Sequence, residues 1–160
     1  MLQNSLGVSS GRLNQNGVVV MDFHFLHAAD IHLDSPLRGL SAYEGAPVEQ
    51  FRNATREAFR NLVSHAIETG AAFIVIAGDL YDGDWPDFST GLFLVKELER
   101  LNAAGIRAVV LFGNHDADNK ITKSLPWPTN AHRFNHKKPE TIEFEDLGVA
   151  LHGQSFSRVD

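Results

Sequence analysis

Phe73-Ile74-Val75-Ile76-Ala77-Gly78-Asp79 decides how this chain folds. Its apolar residues run without a polar break, within a strand predicted from Ala72 to Ala77. A strand with one wet face alternates apolar and polar residues. A continuous run suits a strand covered on both faces, as in a parallel sheet between helical layers. The run ends at Gly78, whose missing side chain lets the backbone turn tightly, and then at the carboxylate of Asp79. Upstream, Phe51, Ala54, Ala58, Leu62 and Ala66 recur at three and four residues, with Thr55, Phe59, Val63 and Ile67 beside them. That period predicts a helix from Phe51 to Thr69, stopped by Gly70 in a left-handed cap. Downstream, a second helix is expected from about Ser89 to Ala104, with Ser89 or Thr90 as its cap and Gly105 as its end. Further strands are read at Phe23–Ala28 and Ile106–Phe112. Strand, helix, strand, helix, strand at this spacing calls for right-handed crossovers and a parallel core sheet, hence an α/β fold. Two short strands, Thr141–Glu145 and Val149–His152, flank the turn Asp146-Leu147-Gly148.

The chain has 160 residues, of which 43% are hydrophobic, enough for one domain with a real core. No stretch approaches the ~18 consecutive apolar residues that span a bilayer, so no membrane role and a cytoplasmic location are expected. There is no cysteine, which removes disulfides, zinc–thiolate sites and thiol nucleophiles together. A net charge of −6 gives no global attraction to nucleic acid, so any such binding has to be local. Residues 1–20 have no acidic residue and a scatter of Asn, Ser and Gly, and read as a flexible N-terminal extension. The domain is expected over 21–160, with Met21 as its start.

Each of the first three strands runs into a short polar motif: Asp30-Ile31-His32, Gly78-Asp79 and Gly113-Asn114-His115-Asp116. The carboxyl ends of parallel strands open onto one shared crevice, so the three motifs are expected to converge. Asp, His and Asn are oxygen and imidazole ligands for a hard divalent cation. Asp30 and His32, two apart in a strand-end loop, can reach one ion. Asp79 has two oxygens and is suited to bridge two ions, and Asn114 offers a neutral carbonyl oxygen to the second. Two ions ~3.5–4 Å apart activate a water and clamp both oxygens of an in-line displacement at phosphorus. There is no G-x-S-x-G elbow and no P-loop, so serine hydrolase and NTPase readings have no support.

The order and wording of these motifs resemble the calcineurin-like metallophosphoesterases. The stretches His27-Ala28-Ala29-Asp30-Ile31-His32-Leu33-Asp34-Ser35-Pro36-Leu37 and Ile76-Ala77-Gly78-Asp79-Leu80-Tyr81-Asp82 resemble the SbcD-type DNA repair nucleases within that group. The resemblance covers roughly Asp22 to Phe156. It implies an α-β-β-α sandwich, of which this chain supplies the first sheet and its helices as the N-terminal part of a nuclease domain. It further implies two divalent metal ions, manganese foremost, a DNA substrate, a homodimer and a coiled-coil ATPase partner of the SbcC type. His115 would act at the leaving oxygen and Asp116 would orient it. The family pattern also needs histidines further downstream, including a Gly-His-x-His pair, and His152-Gly153-Gln154-Ser155 does not supply it. Four ligands of such a site should bind metal weakly. Alternatives are a small-molecule phosphoesterase with the same site, or an inactive fragment that only binds metal or a partner.

Weaker signals surround these. Lys120, Lys123, Arg133, Lys137 and Lys138, interleaved with Trp127 and Phe134, could track a phosphate backbone, and equally fit a solvated loop. Trp127 between two prolines reads as a loop anchor. Asp82, Asp84 and Asp87 crowd the loop after the second motif as ordinary turn residues.

Overall fold

A computed structural model describes residues 12–13, 19–20, 22–35, 43–44, 47–81, 88–116 and 124–157. The elements run β1 (Arg12–Leu13), β2 (Val19–Val20), β3 (Phe25–Ala28), α1 (Val48–Thr69), β4 (Phe73–Ala77), α2 (Phe88–Ala103), β5 (Arg107–Leu111), β6 (Ala131–Arg133), β7 (Glu140–Phe144) and β8 (Val149–Gly153). β3, β4, β5 and β6 form a parallel four-stranded sheet in that spatial order. β1 pairs with β2, and β7 with β8, as separate antiparallel pairs. Among the described residues no helix is long and apolar enough to cross a membrane.

Register explains the core. Leu26, Ile74, Ala108 and Ala131 lie opposite one another across the sheet, and Ile76 and Val110 stand two residues further along the same face. This face meets the helices: Phe59, Val63 and Ala66 from α1, and Leu94, Leu98 and Leu101 from α2, join it in one buried cluster. Each helix contributes residues four and then three apart, the spacing that keeps one stripe inward. α1 starts three residues before the period predicted, at a Pro47 N-cap with no side-chain capping bond, and ends at Gly70 with φ of 67°. A buried Glu97 joins the helices, ion-paired to Arg100, which also donates to Ser64 on α1 at 2.9 Å.

The other face of the sheet carries Phe25, Phe73 and Val109, by the alternation of side chains along a strand. The β7–β8 hairpin packs here. Phe144 meets Phe73 edge-on at 5.3 Å, and Gly153 sits so near Phe134 that a β-carbon there would lie 2.8 Å from its ring. Thus the chain also contributes a hairpin on the second face, while Phe25 stays 50% exposed. β6 was not expected from sequence: three residues, Ala-His-Arg, carry no period to recognise.

Candidate metal centre

The strands deliver their polar motifs to one end of the sheet, and the loops there continue the pairing. Amides of Asp30, His32 and Leu33 donate to the carbonyls of Gly78, Asp79 and Leu80 at 3.3, 3.0 and 2.9 Å, and Gly78 donates to Leu111 at 3.0 Å. The non-glycine residues with positive φ among the described residues are Asp30, His32, Asp34 and Asp79, all in these two loops. Each such residue costs on the order of 1 kcal/mol, and this kind of strain gathers at functional sites.

The result is convergence. Asp30, His32 and Asp79 each present one ligand atom, and those atoms lie within 4.8 Å of one another. Nδ1 of His32 is buried and has no hydrogen-bond partner among the described residues. An unpartnered buried nitrogen is costly unless something else satisfies it, and the ring that carries it also offers a ligand atom to a cluster with two carboxylates. The donor set therefore fits a divalent ion.

The third motif closes against the second. A β-carbon on Gly113 would lie 2.0 Å from Oδ1 and 2.5 Å from the backbone nitrogen of Asp79, so glycine alone permits this approach. Asn114 follows in the same turn and is half-buried. The His115 amide donates to Asp79 Oδ1 at 3.4 Å, and its exposed ring stands edge-on to His32 at 5.7 Å. Asp116 is buried, 4% exposed, and accepts from the amides of Leu80 at 3.0 Å, Tyr81 at 2.7 Å and Gly113 at 2.8 Å. Its carboxylate stitches the β4 loop to the β5 loop. Burial raises its pKa above the ordinary value, opposed by those three amides, and the nearby Asp79 charge raises it further. Burial likewise pushes the Tyr81 phenol above its usual range, helped by the charges of Asp116 and Asp34. The Tyr81 hydroxyl is buried without a partner among the described residues.

Of the basic residues, Lys120 and Lys123 lie outside the described residues, as do Asp82, Asp84 and Asp87. Arg133 is exposed at the end of β6, its guanidinium 5.1 Å from the Trp127 ring, which meets Phe112 edge-on at 6.0 Å. Trp127 thus packs between Arg133 and Phe112, the residue that precedes the third motif. Lys137 and Lys138 are exposed in the connection that leaves β6. Thr90, expected as a helix cap, lies inside α2 and directs its hydroxyl to Asp34 at 2.5 Å. Sequence reasoning also missed Ser155, whose buried hydroxyl donates to Phe134 O at 2.7 Å and accepts from Phe112 N at 3.0 Å. Its partners lie 21 and 43 residues away, and no local pattern marks it.

The profile of the calcineurin-like phosphoesterases matches residues 23–158. The chain is 36% identical over 141 residues to YhaO of Bacillus subtilis, named as an uncharacterized metallophosphoesterase, covering 86% of this chain and 35% of that protein. It is 31% identical over 101 residues to the DNA double-strand break repair protein Mre11 of Sulfurisphaera tokodaii, covering 63% and 24%. It is 26% identical over 161 residues to a subunit of the nuclease SbcCD of Staphylococcus saprophyticus, covering 84% and 40%. The chain thus spans well under half the length of these relatives, from 24% to 40%.

Proposed function

This chain belongs to the calcineurin-like phosphoesterase family, a group of metal-dependent hydrolases, and on that premise we propose that it serves phosphodiester hydrolysis on DNA at a binuclear site. The observation that carries this reading is the convergence of Asp30, His32 and Asp79 to within 4.8 Å. Two relatives named for DNA break repair and for nuclease activity support the choice of substrate. In this reading residues 21–160 are the N-terminal part of the nuclease domain, 1–20 an extension, and the location cytoplasmic.

Asp30 and His32 would hold a first divalent ion and Asn114 a second, with Asp79, which has two carboxylate oxygens, serving both, and manganese the expected metal. Bound ions of this kind supply a water-derived nucleophile at neutral pH and neutralise charge on the phosphoryl oxygens. His115, whose exposed ring stands edge-on to His32 at 5.7 Å, would give a proton to the leaving oxygen. Asp116 positions His115 through the backbone, because it holds Gly113 and the β4 loop in register. Arg133, with Lys120, Lys123, Lys137 and Lys138, contacts the phosphates that flank the scissile bond. An SbcC-type coiled-coil ATPase and a second copy of the chain are the partners in this account.

The test is manganese-dependent hydrolysis of duplex DNA and of bis-p-nitrophenyl phosphate, with Asp79→Asn as control. DNA cleavage that falls steeply with salt and is abolished in the control is the expected result. Hydrolysis of the small ester with no preference for DNA would move the substrate to small phosphoesters. Activity that survives in Asp79→Asn would overturn the site itself.

A further inference from the structure

Left-handed backbone recurs at alternate residues of the first metal loop, with φ of 52° at Asp30, 47° at His32 and 56° at Asp34. Non-glycine residues leave this region unless their surroundings impose it. Backbone bonds to Gly78, Asp79 and Leu80 hold one side of the segment. Its far end is held by Asp34, whose side chain is buried and whose residue is 3% exposed.

Arg56 Nε donates to both carboxylate oxygens of Asp34 at 2.9 Å, and Arg56 Nη2 donates to Oδ2 as well. The Thr90 hydroxyl donates to Oδ2 at 2.5 Å. The amide of Asp34 donates to Thr55 Oγ1 at 3.3 Å. Thr55 and Arg56 belong to α1 and Thr90 to α2. Arg56 is itself braced by Ser89 Oγ at 3.1 Å and by the Phe93 ring at 5.3 Å. One carboxylate therefore ties the loop to both helices. A buried ion pair adds little net stability over apolar packing, and its attested use is to fix one geometry among alternatives. Directional bonds from two helices onto one side chain do that here.

We infer that Asp34, Arg56 and Thr90 form a latch that locks the Asp30–Asp34 loop and thereby sets where Asp30 and His32 present their ligand atoms. Asp34 is a positioning residue: it acts on the site through the backbone. The part concerning ligands rests on the metal reading above, whereas the lock itself does not.

The experiment compares the protein with Thr90→Val, which keeps the ion pair and side-chain shape, and with Asp34→Asn. Amide hydrogen exchange without metal reads the lock, and titration with manganese reads the ligand positions. The latch predicts exchange at the His32 and Leu33 amides faster by on the order of tenfold, with the β4 and β5 amides unchanged. It also predicts manganese affinity weaker by roughly tenfold, as when the support of a ligand is removed. Unchanged exchange in a folded Thr90→Val protein would overturn the latch. Faster exchange with unchanged manganese affinity would overturn the positioning role. If the parent protein takes up no manganese, the metal reading falls, and exchange alone still decides whether the lock exists.

Discussion

Gly113 and Tyr81 make opposite demands on the packing around Asp79. A β-carbon at Gly113 would lie 2.0 Å from the Asp79 carboxylate. Gly113→Ala must therefore push the second and third motifs apart, at a cost of roughly 1–3 kcal/mol, and weaken metal uptake; chemical denaturation with and without manganese measures both. Tyr81 buries a hydroxyl with no partner among the described residues, so Tyr81→Phe should leave the protein as stable or more stable by roughly 1 kcal/mol. A loss of stability would mean that the hydroxyl has a function in the fold. The convergence of Asp30, His32 and Asp79 was legible in sequence because each follows a strand, and parallel strands share one end. The need for glycine at position 113 was not, since it depends on the distance between two loops. The buried setting of Asp116 was equally hidden, because two of the amides that donate to it, at Leu80 and Tyr81, lie 36 and 35 residues away.

At the scale of elements, strong periods were readable and short pieces were not. The apolar run before Gly78 and the three-and-four spacing of α1 located β4 and α1 to within a few residues. β6 has three residues and gains its place only by pairing with β5. The β7–β8 turn is fastened to the sheet by Arg107, which donates to Asp146 at 2.7 Å and lies 4.5 Å over the Phe144 ring. The Arg107 hydrogen bond, then its charge, holds the Asp146 carboxyl below its ordinary 3.8. A lowered pKa stabilises the fold above the unfolded value, and that gain is lost as pH falls through the folded one. The side chains are 35% and 58% exposed, so solvent screening limits the gain. Asp146→Asn should cost about 0.2–1 kcal/mol at neutral pH. The difference should shrink as pH falls below the unfolded aspartate value and vanish only below the lowered folded one; urea denaturation at several pH values checks it.

For the whole molecule, stability and the site are linked. The described sheet is covered by helices on one face and by a hairpin on part of the other, with Phe23 and Phe25 exposed at 37% and 50%. Strain in the loops after β3 and β4 is offset by their hydrogen bonds to one another and, on our inference, by the Asp34 latch. A ligand that binds only the folded loops adds stability, about 2.7 kcal/mol at a hundredfold excess over Kd. Manganese should therefore raise the unfolding temperature of the parent protein and leave that of Asp79→Asn unmoved, read by calorimetry. The family and the α/β plan could be read from three motifs at three strand ends. The network between Asp34, Arg56 and Thr90 could not, because Arg56 and Thr90 lie 22 and 56 residues from Asp34 and meet it only once both helices have docked.

The central claim is that Asp30, His32 and Asp79 together hold a divalent cation. Isothermal titration of manganese into the protein and into Asp79→Asn tests it most directly. The account predicts saturable binding in the parent that weakens at least ~10-fold in the variant. Equal binding in both, or none in the parent, would contradict it.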